Sequence, residues 1–251
     1  RYVRLYVIQA WHAWRSLFGW STPFNYFVSK FGFSFFSMLM FIFLGRFVGL
    51  DDPIYIVIGN ILLIPASNCL SGISMTVGNE RSFGAMSYLL GSPAPRTAIF
   101  LGRGLFHILD SFITVAIALL VAIGLFGFSL SGMNFPLVLL AVFITAFTTS
   151  GLGYITGSLT LVNRDGWMIT STLSLSLYIL VGANFPVTSL PEWIQPVSYA
   201  LPMTRGILAA RAALDGAGWG EVSSLLANEI AIGIVYIAIG YWMFRWLERK
   251  S

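Results

Sequence analysis

Residues 79–96 read NERSFGAMSYLLGSPAPR. They interrupt a chain that is otherwise almost unbroken apolar sequence, and they bring an acid, two arginines and two prolines together. Asn79 suits a helix N-cap. Glu80 in the first turn suits the positive end of the helix dipole. Phe83, Met86 and Leu90 fall on one face at spacings of three and four. Pro93 and Pro95 end the helix. The stretch predicts a short amphipathic helix whose apolar face has only lipid or another protein to pack on.

The sequence around it decides where that helix lies. Of 251 residues, 57% are hydrophobic, 16% aromatic and 10% charged, with mean hydropathy +0.82. A soluble domain carries about 25% charge, so the composition is that of an integral membrane protein. An arginine at position 1 places the expected native start upstream, and Arg1–Gly19 lacks the plain apolar core of a cleavable signal peptide. The single cysteine, Cys69, permits no disulfide within the chain and no cysteine-based metal site. A spanning helix needs about 20 apolar residues. Six segments qualify as spans: 26–49, 53–78, 104–126, 135–161, 167–183 and 225–247, the fifth being short. Between the last two, residues 186–220 are apolar but broken by Pro186, Pro191, Pro196 and Pro202, and read as short interfacial helices or a hairpin dipping into the bilayer.

Six spans place both termini on one side. Arg1, Arg4, Arg15, Lys30, Arg81, Arg96, Arg103, Arg164, Arg245, Arg249 and Lys250 then share that side, against Arg46, Arg205 and Arg211 on the other. The positive-inside rule makes the first side cytoplasmic. The net charge of +4 reports this topology and gives no indication of nucleic acid. Residues 1–22 read as a helix lying on the membrane: Val3, Val7, Trp11, Trp14 and Phe18 form one stripe beside Arg1, Arg4, His12 and Arg15. The alternative is that they begin the first span, which Pro23 opposes.

Within the spans, Asn60, Ser67, Ser71, Ser74 and Gly78 share one face of the second. They form either a polar wall of a substrate path or a small-residue packing surface. Gly153 and Gly157 in the fourth make a GxxxG pair suited to close packing. Thr170 and Ser174 share a face of the fifth and extend the candidate path. Asp110 lies about two turns inside the third span, with Arg103 and His107 on its face. An intramembrane acid is a functional candidate; the alternatives are a proton relay and a structural cluster with Arg103 reaching back to the surface. No GxxxxGK[ST] motif is present, so no phosphate loop binds ATP. HExxH and GxSxG are absent too, and two histidines make no zinc site. No catalytic residue and no metal ligand is expected.

Residues 79–96 resemble the loop of the permease subunits of type-2 ATP-binding-cassette transporters, mostly bacterial exporters. Glu80, Arg81, Gly84, Leu89, Leu90, Ser92, Pro93 and Arg96 fit that pattern. Ser82 departs where a second acid is common, Ala85 where threonine is, and Ser87 where glutamate often follows. Residues 184–211, NFPVTSLPEWIQPVSYALPMTRGILAAR, resemble the family's outer segment, with Leu-Pro-x-Trp leading to a second Leu-Pro and a terminal arginine. The resemblance covers nearly the whole chain.

It implies one all-α transmembrane domain over 1–251: an N-terminal interfacial helix, six spans, a cytoplasmic coupling helix at 79–96 and an outer re-entrant hairpin at 186–220. It implies a coupling interface of Glu80, Arg81, Phe83, Gly84, Met86 and Leu90, seated in a separate cytoplasmic ATPase that binds ATP and magnesium; this chain would hold no cofactor. It implies a bacterial inner-membrane exporter, working with a second permease, identical or not. The cargo would be amphipathic: a drug, a peptide antibiotic or a lipid, with a polysaccharide as the alternative. A proton-driven transporter using Asp110 is the rival from another class.

Overall fold

The computed structural model describes residues 6–8, 11–12, 22–47, 49, 54–82, 91, 95–127, 132–162 and 166–248. Eight α-helices and a short 3-10 helix are built from them: α1 (Pro23–Phe47), α2 (Ile54–Ser82), α3 (Arg96–Phe126), α4 (Phe135–Leu159), α5 (Gly166–Leu180), the 3-10 turn Val187–Ser189, α6 (Gln195–Ala200), α7 (Thr204–Leu214) and α8 (Trp219–Glu248). No strand occurs among the described residues.

Local chemistry sets the helix ends. Thr22 caps α1: its hydroxyl accepts the Asn25 amide at 3.2 Å, and Pro23 follows at the first helical position, where a missing N–H costs nothing. α3 stops at Gly127, which takes φ +66° and returns its amide to the Ala122 carbonyl. That left-handed terminus favours glycine. Asn79 does not open a separate helix, because α2 runs through it to Ser82. Of the expected coupling helix, only Asn79–Ser82, Gly91, Pro95 and Arg96 are described, and Phe83, Gly84, Met86 and Leu90 lie outside the described residues. Most of residues 1–22 lies outside them as well.

Among the described residues, five helices are long and apolar enough to cross a membrane: α1, α2, α3, α4 and α8. α5, the expected fifth span over 167–183, has 15 helical residues. It ends early because residues 181–186 bend away, with Gly182 at φ +74° and Pro186 unable to continue a helix.

α2 is the centre. Ile61, Leu63, Ile64, Leu70 and Ile73 are wholly buried, and α2 touches α1, α3, α4, α5 and α7. α4 packs between α2 and α8 through glycines. A Cβ on Gly153 would sit 3.0 Å from both Ile73 Cβ and the Leu70 carbonyl; one on Gly240 would sit 2.8 Å from Tyr154 Cβ. The backbones therefore approach as closely as small residues allow, the usual basis of helix contact in lipid. α1 is peripheral. It buries only Ser34, Met38, Ile42 and Gly45, while Phe24, Phe36 and Phe47 are exposed.

The bundle has two distinct ends. At one, the Phe100 ring meets Tyr154 and Phe244, at centroid distances of 4.3 and 4.9 Å. At the other, the turn before α4 meets the end of α7, with the Asn134 amide donating to the Ala213 carbonyl at 2.8 Å. The proline-broken segment after α5 folds onto this second end.

Candidate functional site

Three polar constellations interrupt the apolar interior. The first centres on Asp110, 3% exposed in α3. Its partners come from α1: Lys30 Nζ lies 2.6 Å from Oδ2, and the Tyr26 hydroxyl donates to Oδ1. Lys30 also donates to Thr114 Oγ1 at 3.1 Å, and Thr114 to the Asp110 carbonyl at 3.2 Å. A buried acid is tolerable when paired and hydrogen-bonded in this way. His107, three residues earlier, turns instead to α2. Its Nε2 lies 3.1 Å from Thr76 Oγ1, and its ring occupies the space a Cβ on Gly72 would need. Asp110 and His107 thus serve different helix contacts. The Arg103 side chain lies outside the described residues. Sequence spacing missed Lys30 because it compares residues along one helix only. The available signal was that Lys30, like Asp110, falls inside an apolar run.

The second constellation is the seam between α2 and α5. Asn60, fully buried, donates to Asn184 Oδ1 and to the Ile56 carbonyl, both at 2.8 Å. Ser74 and Thr170 share a hydrogen bond of 2.7 Å. Asn184 donates to the Tyr178 carbonyl at 3.0 Å. Between these two cross-links, Ser67 Oγ and Ser174 Oγ are buried without a hydrogen-bond partner among the described residues, as is Asn60 Oδ1. Ser71 is half-buried. The structure therefore brings Asn60, Ser67, Ser74, Thr170 and Ser174 onto one seam.

The third lies at the end of the bundle that carries the proline-broken segment. Glu229, in the interior of α8, is fully buried. One carboxylate oxygen accepts the Met203 amide at 2.5 Å and the Thr148 hydroxyl at 2.7 Å; the other accepts the Gly206 amide at 3.2 Å. The carboxylate thereby satisfies the free amides of the α7 N-terminus, where the helix dipole favours negative charge. Met203 sits at φ +90° to present its amide. Ten residues of α8 precede Glu229, and leucines and isoleucines surround it in the sequence, the signal that could have marked it as buried. At the other end of α7, Arg211 reaches Tyr55, Gly182 and Ala183. Among the described residues, no three His, Cys, Asp or Glu side chains gather to hold a metal.

Comparison with known proteins adds four findings. Residues 47–242 match a family described as ABC-2 family transporter protein. The inner membrane transport permease YhhJ of Escherichia coli (strain K12) is 26% identical over 171 residues, 66% of this chain and 45% of the relative. The probable multidrug ABC transporter permease YbhR of the same organism is 24% identical over 202 residues, 78% of this chain and 53% of the relative. ABC transporter G family member 20 of Dictyostelium discoideum is 26% identical over 188 residues, 72% of this chain and 25% of the relative. The chain spans about half the length of the bacterial relatives it matches.

Proposed function

Because the chain belongs to the ABC-2 family of transporter proteins, we propose that it is the membrane permease of an ATP-driven exporter. ATP and magnesium would be bound by a separate cytoplasmic ATPase, and the permease would work beside a second copy or a related chain. The observation that carries this reading is the family match over residues 47–242, which takes in four of the five membrane-length helices and the short helices at one end. α5, with the residues that follow it to 183, would be the fifth of six spans. The end bearing α7 would face outward, and both termini and residues 79–96 would be cytoplasmic, as the charge bias supports.

In this reading Glu80, Arg81, Phe83, Gly84, Met86 and Leu90 form the coupling interface. Residues 1–22 lie on the cytoplasmic surface beside it, and the short helices of 186–220 cap the path. Asn60, Ser67, Ser71, Thr170 and Ser174 line the route, which opens when α2 and α5 part. Their unspent oxygens, set in an otherwise apolar seam, suit an amphipathic cargo with a polar group. A relative named as a probable multidrug permease supports a drug-like cargo over a polysaccharide. The pairing of Asp110 with Lys30 supports a structural role over a proton relay, since the acid is already neutralised by a neighbour.

Co-purification tests the reading. The full chain, solubilised gently from its native membrane, is expected to bring down an ATP-binding-cassette ATPase. Phe83→Ala is expected to reduce the yield of that ATPase at least tenfold, because a buried interface anchor is worth about 2 kcal/mol. Recovery of the chain with no ATPase would overturn the proposal.

A further inference from the structure

Arg211, in the last turn of α7, is 9% exposed. Its charge is met by carbonyls and a phenol. Nη1 donates to the Tyr55 hydroxyl at 2.6 Å and to the Gly182 carbonyl at 2.8 Å. Nη2 donates to the Ala183 carbonyl at 2.7 Å and to the Tyr55 carbonyl at 3.3 Å. The guanidinium also lies over the Tyr55 ring, 3.5 Å from its centroid. Gly59 makes room for this arrangement: a Cβ there would collide with the Ala183 carbonyl that Arg211 uses.

These acceptors belong to the start of α2 and to the bend after α5. The rest of α7 is fixed elsewhere. Glu229 of α8, itself hydrogen-bonded by Thr148 of α4, holds its N-terminus, and Gly206 lies so close to Thr145 of α4 that a Cβ would strike its hydroxyl. α2 and the bend have their own link in Asn60 and Asn184. Arg211 is thus the charged bridge from α7, which is held on α4 and α8, to the start of α2 and the bend. The two attachments of α7 differ in how they can part. Releasing Glu229 would strand amides and a carboxylate in a dry interior. Releasing Arg211 would hand a cation and three carbonyls to water, beside the exposed turn at Asp215 and Gly216.

We propose that Arg211 is the outer latch of the transport path, a positioning residue whose fork holds α7 over the α2–α5 seam and lets go when cargo leaves. This rests on the path reading above. The fork is essential to it: a lysine keeps the charge but cannot reach four acceptors in this planar geometry.

The test uses the full chain with Cys69 replaced by alanine and Ser67→Cys as reporter, reconstituted with its ATPase and probed from outside with a membrane-impermeant thiol reagent. At rest, Arg211→Lys is expected to raise the labelling rate at position 67 at least tenfold, with the thermal midpoint kept close to the parent. Tyr55→Phe, which removes one acceptor and keeps the ring, is expected to raise it less, and serves if Arg211→Lys does not fold. Glu229→Gln is expected to lower the midpoint without raising labelling. Parent-rate labelling in a folded Arg211→Lys or Tyr55→Phe protein overturns the latch. The Arg211 parent during ATP turnover separates the two ideas. If position 67 stays unlabelled even then, the path reading itself falls. If it is labelled in turnover but Arg211→Lys changes nothing at rest, only the latch falls.

Discussion

Lys30 and Asp110 form the one ion pair among the described residues, and removing either leaves the other charged and poorly solvated. Breaking a buried pair in this way costs about 3–5 kcal/mol, whereas replacing both members with apolar groups is often neutral. Asp110→Asn and Lys30→Met are each expected to lower the thermal midpoint and the folded yield, and the double variant Lys30→Met, Asp110→Leu is expected to recover most of both. Purified, folded Asp110→Asn protein should still transport. Lost transport with ATP turnover intact would favour the proton relay instead. The acid was legible in the sequence because a charge inside an apolar run stands out. Its partner was not, because Lys30 near a helix end reads equally well as a topology signal. Glu229 shows the same limit: its charge was visible, but its three acceptor contacts depend on α7 folding back against α8.

At the scale of helices, an apolar run in the sequence overlaps each of the five membrane-length helices among the described residues. The ends followed local rules that composition does not show. α3 begins at Arg96 rather than near 104, and α8 at Trp219 rather than 225; Pro95 precedes the first turn of α3, whose Ile99 and Phe100 are buried in the bundle. Glycine context was likewise hidden. Gly153 abuts α2, whereas a Cβ on Gly124 meets nothing within 4 Å. Gly124→Ala is therefore expected to stabilise the protein by up to about 1 kcal/mol through helix propensity, and Gly153→Leu to destabilise it severely by forcing α4 off α2. Unfolding midpoints in detergent check both; equal effects would mean that α4 and α2 do not pack as described. The seam between α2 and α5 makes a functional prediction. Asn60→Leu removes the link to Asn184 and a buried acceptor, so cargo-stimulated ATP turnover should change while the basal rate holds. A loss of stability with no cargo-specific change would make the seam a packing surface only.

For the whole molecule, the proposed orientation rests on the expected partition of eleven cationic residues against three, the asymmetry that sets membrane topology. With Cys69 replaced, a cysteine at the exposed Ser189 should react with an impermeant thiol reagent in intact cells, and one at Ser92 should not; the reverse pattern would invert the chain. Family membership was legible from two motifs and a count of apolar runs. The arrangement of α7 between Glu229 and Arg211 was not, because both contacts join residues far apart in sequence. In the proposed function, ATP hydrolysis outside this chain drives movement through it by way of residues 79–96. The direct measurement is cargo transport together with ATP turnover in vesicles holding the chain and its ATPase, with Gly84 intact or replaced by proline, which would break a helix there. ATP-dependent transport by the parent, and ATP turnover without transport in Gly84→Pro, is the predicted result. Transport that continues without ATP, or wild-type coupling in Gly84→Pro, would contradict it.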